Sequence, residues 1–151
     1  MGYIRVTKEF SFEMAHTLVG YDGVCSEIHG HSYRLFVTVA GTPSQDESDP
    51  KFGMVMDFGL LKKLVSELIL NVYDHALLIR RTETGKELTD ILSKNFRKLQ
   101  VVDFQPTCEN LILNFVNLLE GNIPENVILH SIRLHETATS YAEWFADDKD
   151  L

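Results

Sequence analysis

The chain has 151 residues, of which 44% are hydrophobic and 24% charged, and a formal net charge of −8. This length and composition are typical of one soluble domain that buries its own core without disulfides or metal. The negative charge, with no basic run to offset it, argues against a nucleic-acid or acidic-membrane binder, so an anionic substrate must find local positive contacts.

The cysteines and the hydropathy pattern predict a cytoplasmic location. Cys25 and Cys108 are expected to be free thiols in a reducing compartment, because the sequence shows neither a secretory leader nor a cysteine framework. No apolar run approaches the length of a membrane span. We therefore expect neither membrane nor nucleic acid as a partner.

The first two predicted strands bring three histidines together. Residues 3–16 alternate in polarity and predict a strand that ends with His16. After a loop with two glycines, residues 29–41 predict a second strand, antiparallel to the first. This pairing places His16 level with His29 and His31, whose side chains leave the same face of the second strand.

Three histidines without a fourth protein ligand are typical of a catalytic zinc, which keeps one coordination position open. Gly30, between His29 and His31, lets the backbone approach the bound group. Cys25, four residues before His29, can act as a base or nucleophile, because a nearby cation lowers the pKa of a thiol. From these residues alone, ordinary core or surface histidines and a zinc hydrolase remain as alternatives.

The middle of the chain predicts one long helix followed by less regular sequence. Asp57 is a suitable N-cap for a helix over residues 58–72, whose apolar positions repeat at helical spacing. Asp74 and His75 follow directly, as either a structural cap or an acid–base pair. Further on, apolar residues between positions 88 and 99 predict a short amphipathic helix.

The last third predicts a second long helix and two more strands. Thr107 is the expected N-cap of this helix, and Cys108 is expected to be a small buried residue at its start. Residues 127–136 predict a strand that carries Ile128, Ile132, Leu134 and Glu136 on one face, and residues 141–145 predict the final strand. The order strand, strand, helix, helix, strand, strand predicts a single α+β domain over residues 1–151, an antiparallel sheet with two long helices on one face.

Five short motifs occur in a specific order along this chain. They are Cys25-x3-His29-Gly-His31, Gly53-Met-Val-Met-Asp57-Phe, Asp74-His75, Pro106-Thr-Cys-Glu109-Asn110 and Glu136-Thr137. Together they resemble the 6-pyruvoyl-tetrahydropterin synthase / 6-carboxy-tetrahydropterin synthase family. The resemblance runs from about Val6 to Trp144, with residues 76–104 as a longer, family-variable insert.

The resemblance implies a tunnelling fold (T-fold) whose subunits assemble into barrels, as a homohexamer built from two trimers with sites at subunit boundaries. It implies zinc as the cofactor and a pterin triphosphate as the substrate. By the same resemblance, zinc is held by His16, His29 and His31. Cys25 is implied to be the catalytic thiol, with Asp74 and His75 as its acid–base partners from a neighbouring subunit. The pterin is implied to be anchored by Glu136, with a second pterin-binding segment formed by Thr107, Cys108 and Glu109.

The spacing between Cys25 and His29 favours one branch of this family. Three residues separate them, as is typical of the carboxy-forming enzymes of the queuosine (7-deazaguanine) pathway, whereas the pyruvoyl-forming enzymes have five. We therefore expect a lyase that converts 7,8-dihydroneopterin triphosphate to 6-carboxy-5,6,7,8-tetrahydropterin, acetaldehyde and triphosphate. A pyruvoyl-forming synthase, an aldolase-like relative and a non-catalytic zinc-containing pterin-binding module are the alternatives. Arg34 and Arg133 are candidates for holding the triphosphate.

Overall fold

A curled, six-stranded sheet organises the fold of this protein. The structure is a computed structural model that describes residues 2–149. The sheet has the strand order β4-β3-β1-β2-β5-β6. Its strands are β1 (Ile4–His16), β2 (His29–Gly41), β3 (Ala76–Arg80), β4 (Leu99–Val102), β5 (Ile128–His135) and β6 (Tyr141–Phe145).

Both long helices predicted from the sequence are present. The first runs without a break through α1 (Phe58–Val65), a π-helical turn (Ser66–Leu70) and α2 (Asn71–Tyr73), and the second is α4 (Cys108–Glu120). The predicted N-caps are confirmed, because the Asp57 side chain accepts from the Gly59 N–H and the Thr107 hydroxyl accepts from the Asn110 N–H. No helix within residues 2–149 is long and apolar enough to cross a membrane.

The hairpin of β1 and β2 is the longest pairing in the sheet and follows the predicted register. Its 13 antiparallel pairs start at Ile4 with Gly41 and end at His16 with His29. Side chains therefore alternate between a buried face and an exposed face along both strands. On the buried face Phe12 stacks on Tyr33, with ring centroids 5.0 Å apart.

The hydrophobic core lies between this buried face and the two long helices. The apolar stripe of α4, formed by Leu111, Phe115 and Leu119, is fully buried against the sheet. The main core also contains β1, β2, β3 and β5 side chains, including Leu35, Leu78 and Ile132. The predicted α+β arrangement with two long helices on one face is therefore confirmed.

The segment between Asp74 and Pro106 differs from the sequence prediction. Residues 88–99 were expected to form a helix, but α3 spans Glu83–Leu92 and Leu99 begins a strand. The helix starts earlier because the Thr82 hydroxyl caps it, accepting from the Gly85 N–H. The apolar residues from Leu99 onward instead pair with β3.

This βαβ unit also makes the sheet mixed rather than purely antiparallel. Strand β3 runs parallel to β1, and β4 runs parallel to β3. Helix α3 covers the opposite face of the sheet from α1 and α4, because Leu77 and Ile79 of β3 point away from the main core towards α3 residues such as Leu92 and Gly85. A parallel crossover requires such a covering helix, which the antiparallel prediction did not include.

The prediction for one residue of β5 is wrong because the strand contains a β-bulge. Ile128 was expected on the core face, but it is 45% exposed and Leu129 is buried instead. The pairing register between β2 and β5 shifts at Thr38 and Val39, so β5 has one extra residue at this point. One inserted residue moves the side chains beyond it to the other face.

The two faces of α4 differ in their contribution to stability. We expect Leu119→Ala, a fully buried position, to lower the free energy of unfolding by about 2–5 kcal/mol, because it leaves a cavity in the core. Leu113→Ala on the same helix, where the side chain is 52% exposed, is the matched control and should change it by about 0.5 kcal/mol or less. Urea denaturation at fixed protein concentration measures both, and equal losses would contradict this packing.

Candidate active site

Three imidazole rings converge at one end of the β1–β2 hairpin. His16 closes β1 opposite His29, and His31 lies two residues further along β2 on the same face. The ring centroids are 4.6, 4.9 and 5.1 Å apart, and one ligating nitrogen from each ring lies within 4.8 Å of the other two. The structure thus brings together the three histidines that the sequence predicts as metal ligands.

Backbone carbonyl groups orient two of these rings. Nδ1 of His16 lies 2.7 Å from the Pro106 carbonyl oxygen, and Nδ1 of His29 lies 2.8 Å from the Glu27 carbonyl oxygen. Because a carbonyl oxygen only accepts, each Nδ1 carries the proton and each Nε2 keeps a lone pair. The two Nε2 atoms face each other at 3.1 Å, and a shared metal ion would satisfy both lone pairs.

The third ring, His31, contributes a buried nitrogen without a partner. Its Nε2 atom has no hydrogen bond to any residue in the described part of the chain. Burial lowers the pKa of His31, and burial lowers the pKa of His16 to about 4. These two rings are therefore neutral at pH 7, which is the form of imidazole that binds a metal.

The donor set fits a divalent metal ion. Zinc–nitrogen bonds are about 2.0–2.1 Å long, so nitrogens that share one ion lie within about 4 Å of each other. The observed limit of 4.8 Å is slightly larger, and small rotations of the rings would close the three nitrogens on one ion. Three imidazoles, with no fourth ligand in the cluster among the described residues, leave a coordination position for water or substrate.

A small cavity next to the triad is lined by all four residues predicted to bind the substrate. Glu136, Thr107, Cys108 and Glu109 line this cavity, whose volume is about 240 Å³. Oε1 of Glu136 lies 3.6 Å from Nε2 of His31, too far for a hydrogen bond but close enough to join the cavity and the triad into one site.

The Cys108 thiol is held in a neutral state within this cavity. It donates a hydrogen bond to the Leu134 carbonyl oxygen over 3.2 Å. Burial, followed by the negative charge of Glu136, raises the pKa of Cys108 to about 11. A protonated, half-buried thiol is a poor nucleophile, so the geometry agrees with the prediction that Cys108 is a small residue at a helix start.

Cys25 sits in a loop that is tied to the end of β1. A short 3₁₀ turn spans Val24–Ser26, and the Leu18 N–H donates to the Cys25 carbonyl oxygen over 3.0 Å. The Thr17 hydroxyl donates to the Ser26 carbonyl oxygen over 2.6 Å, so both contacts start within two residues of His16. Both cysteines in the described residues are free thiols, as predicted.

Asp74 and His75 form a hydrogen-bonded pair that is fixed to the edge of β1. The Asp74 carboxylate accepts from the Glu13 N–H over 2.9 Å and lies 3.0 Å from Nδ1 of His75. The Glu13 N–H, and to a smaller extent His75, hold the pKa of Asp74 below its usual range. Asp74 is therefore a carboxylate that orients His75, whose side chain is 76% exposed.

The backbone of His75 adopts a strained conformation. Its φ angle is 62°, in the left-handed region that residues other than glycine seldom adopt. The His75 N–H donates to the Glu13 carbonyl oxygen over 2.6 Å, and Lys98 donates to the Asp74 carbonyl oxygen. These contacts stabilise the strained conformation and point His75 outward.

Within one chain, the structure does not bring the Asp74–His75 pair to the triad. His75 lines a cavity together with Glu13, Ser32 and also His31 of the triad. Within residues 2–149, however, no hydrogen bond, ion pair or ring contact joins Asp74 or His75 to any of the three histidines. The pair is instead anchored to the β1 backbone at Glu13.

The two arginines considered for the triphosphate are engaged elsewhere. Arg34 lies on the face of β2 opposite His31, where it pairs with Glu9 at 2.6 Å. Arg133 lies on the same face and pairs with Glu143 at 2.7 Å. Neither side chain faces the triad of its own chain, so neither is supported as a triphosphate ligand there.

Sequence reasoning missed two contributors to the site. The Pro106 carbonyl, which orients His16, comes from a segment 90 residues away, and no sequence pattern identifies such a backbone partner. Tyr33 lies two residues after His31, on the same face, and its fully buried hydroxyl has no hydrogen-bond partner within residues 2–149. The alternation of β2 could have indicated Tyr33, since positions 29, 31 and 33 share one face.

Comparisons with known proteins identify similar sequences and a similar fold. The sequence profile of the 6-pyruvoyl tetrahydropterin synthase family matches residues 5–147. The 6-carboxy-5,6,7,8-tetrahydropterin synthase of Haemophilus influenzae is 39% identical over 141 residues, which cover 93% of this chain and 97% of that protein. The protein of the same name from Synechocystis is 35% identical over 142 residues, covering 93% and 92%. The structure of Caenorhabditis elegans 6-pyruvoyl tetrahydropterin synthase matches with a TM-score of 0.67 and 25% identity over 97% of each chain.

Removing one ligand of the triad should abolish metal binding. We expect His29→Ala to lose its bound metal ion, because two imidazoles rarely hold a divalent ion against dialysis. His130→Ala is the matched control, since His130 accepts a hydrogen bond from Arg5 outside the triad. Plasma mass spectrometry of the dialysed proteins measures metal per chain, with circular dichroism to verify folding. A folded His29→Ala protein with an undiminished metal content would contradict the assignment.

The raised pKa of Cys108 predicts low reactivity at moderate pH. With a pKa of about 11, only about one Cys108 thiol in a thousand is ionised at pH 8. We therefore expect iodoacetamide at pH 8 to leave Cys108 unmodified in the folded protein and to alkylate it in urea, as read by peptide mass analysis. Equal labelling rates in the two states would show that the thiol is not protected.

Proposed function

The chain belongs to the 6-pyruvoyl tetrahydropterin synthase family, and on this premise we propose that it is a zinc-dependent 6-carboxy-5,6,7,8-tetrahydropterin synthase. Its proposed substrate is 7,8-dihydroneopterin triphosphate, and its products are 6-carboxy-tetrahydropterin, acetaldehyde and triphosphate, in 7-deazaguanine (queuosine) biosynthesis. The names of the relatives from H. influenzae and Synechocystis support this branch, as does the three-residue spacing between Cys25 and His29.

One observation carries the proposal, namely the position of Glu136 beside the triad. Its carboxylate lies 3.6 Å from His31 and lines the cavity that Thr107 and Glu109 complete. A pterin whose ring enters this cavity would have its side chain within reach of the three histidines. The same arrangement would have no purpose in a simple zinc hydrolase.

The Glu136 carboxylate is suited to the amino-pyrimidinone edge of a pterin. That edge presents two adjacent N–H donors, and a carboxylate accepts both in a bidentate contact that fixes the orientation of the ring. The N-terminus of α4, which begins at Cys108, lies at the same cavity and provides backbone N–H groups of the first helical turn. We propose that these groups recognise the remaining acceptors of the ring.

His16, His29 and His31 are the residues that would hold zinc. When bound, a zinc ion at this centre supplies Lewis acidity, which acidifies nearby hydroxyl groups and stabilises developing negative charge. The neutral state of the buried rings, the orphaned Nε2 of His31 and the opposed lone pairs of the other two rings support this assignment.

Cys25 and His75 are the proposed proton-transfer groups. The Cys25 thiolate would remove a carbon-bound proton of the substrate side chain, and His75 would move a proton on the other side of it. Asp74 holds Nδ1 of His75, so Nε2 is the nitrogen that exchanges a proton with the substrate.

The position of His75 supports a site shared between subunits. Because no hydrogen bond, ion pair or ring contact joins Asp74 or His75 to the triad of their own chain within the described residues, and the His75 side chain is 76% exposed, we propose that they complete the site of a neighbouring copy. A homohexamer of two trimers, with the sheets closing into barrels, would place one face of each subunit against the next.

Experiments can distinguish the proposed function from two alternatives. A pyruvoyl-forming synthase would use the same metal and the same pterin anchor, and it differs only in the product. A zinc-containing pterin-binding module without turnover would retain Glu136 and the triad but have no need for Cys25, Asp74 or His75.

Product identity tests the proposed branch. We expect the zinc-loaded protein, incubated with 7,8-dihydroneopterin triphosphate, to yield 6-carboxy-tetrahydropterin and acetaldehyde by mass analysis. A 6-pyruvoyl product would retain the site and overturn the branch. No conversion by a folded, zinc-loaded hexamer would favour the binding module.

Mixing inactive variants tests the shared site. Cys25→Ala and His75→Ala should each lower the turnover rate about 10²–10⁴-fold, as expected for loss of a proton-transfer group. After subunit exchange, mixed oligomers should regain partial activity, because some sites would combine an intact Cys25 with an intact His75. If exchange is verified by native mass spectrometry and no activity returns, each site belongs to one chain.

A further inference from the structure

Tyr33 is a buried tyrosine whose hydroxyl group has no evident structural role. Its side chain is 0% exposed, and its hydroxyl finds no hydrogen-bond partner in the part of the chain that the structure describes. A buried hydroxyl without a partner destabilises a protein, because it has lost its hydrogen bonds to water. Phenylalanine would fill the same volume without this cost, so the hydroxyl calls for a functional explanation.

The aromatic ring of Tyr33 is held rigidly. It stacks on Phe12 with an interplanar angle of 6° and centroids 5.0 Å apart, and its neighbour His31 meets it nearly at right angles with centroids 5.6 Å apart. A ring fixed on two sides cannot rotate its hydroxyl to solvent. The hydroxyl therefore has a fixed position and can donate only to a group that lies beside it.

Glu136 lies at the end of the strand pairing that carries Tyr33. Pairing between β2 and β5 ends with Arg34 opposite His135, so Tyr33 and Glu136 are the residues that follow this last pair on the two segments. Both side chains lie on the face of the triad, where the Glu136 carboxylate approaches His31. A phenol is protonated at neutral pH, so the Tyr33 hydroxyl is a donor.

Metal binding would remove one possible donor from the Glu136 carboxylate. The one basic side chain paired with it within the described residues is His31, whose Nε2 lies at 3.6 Å. Once the lone pair of this nitrogen is used for a metal, the ring cannot donate to Glu136 from that atom. A carboxylate has about four acceptor positions, of which a pterin edge would use two, so about two remain and Tyr33 can occupy one of them.

We propose that the Tyr33 hydroxyl is a positioning donor that orients the Glu136 carboxylate for the pterin. This inference rests on the proposed function, because it assigns Tyr33 to the recognition step of the same site. Tyr33 acts through Glu136, and the triad is complete without it. Its loss should therefore weaken pterin binding while leaving metal content and the turnover rate at saturation nearly unchanged.

Tyr33→Phe removes only the hydroxyl, and Tyr73→Phe is the matched control. Tyr73 is also buried, but its hydroxyl accepts a hydrogen bond from Asn114 over 2.7 Å within the core. The probe is 7,8-dihydroneopterin without phosphates, titrated into the zinc-loaded protein by isothermal calorimetry. Metal content, melting temperature and the KM and kcat for the triphosphate are measured on the same samples.

We expect Tyr33→Phe to raise Kd and KM about tenfold, the loss expected for a hydrogen bond to a charged group, with kcat within about twofold of the wild type. In the metal-free protein its melting temperature should equal or exceed that of the wild type, because there the hydroxyl has no partner within the described residues. Tyr73→Phe should show the reverse pattern, a lower melting temperature and an unchanged Kd. If Tyr33→Phe binds the probe as tightly as the wild type, the inference is wrong.

A double-mutant cycle connects the effect to Glu136. In a Glu136→Ala background, Tyr33→Phe should cause no further loss of probe affinity, since the carboxylate it orients is absent. A full, additive loss would show that Tyr33 acts on something else and would overturn the inference. If the wild-type protein binds no dihydroneopterin at all, the proposed function falls together with the role of Tyr33, whereas equal binding by wild type and Tyr33→Phe overturns only the latter.

Discussion

The antiparallel register between β1 and β2 decides where the metal-ligating nitrogens lie. Because His16 pairs directly with His29, and His31 follows two residues later on the same face, a shift of one residue would turn His16 away from the other two. The long hairpin fixes this register through side chains on its buried face, including the stacked pair Phe12 and Tyr33. The same packing that stabilises the core thus positions the site.

Burial then determines the chemistry of that site. The core side of the hairpin keeps the rings of His16 and His31 neutral, and backbone carbonyls select the tautomer of two rings. The β5 strand and the start of α4 place Glu136 and its cavity beside these rings. The structure is locally costly here, since His31 and Tyr33 each bury a polar atom without a partner. Such costs are expected where a protein binds a ligand.

Much of this arrangement could be predicted from the sequence because it depends on local periodicity. The alternation of both first strands, the caps at Asp57 and Thr107, and the convergence of the histidines all follow from patterns of two or 3.6 residues. The unit from β3 to β4 was missed because a short parallel strand leaves no alternating pattern, and the bulge beside Ile128 has no local signal. The exposed position of His75 depends on tertiary contacts with Glu13, which no sequence period encodes.

Zinc K-edge X-ray absorption would test the central claim most directly, namely that three histidines hold the metal and Cys25 stays free for chemistry. We expect nitrogen and oxygen neighbours at about 2.0–2.1 Å, with multiple-scattering features of three imidazoles. A sulfur neighbour at about 2.3 Å that is absent in Cys25→Ala would show that Cys25 is a ligand and would contradict its assignment as the proton-transfer group.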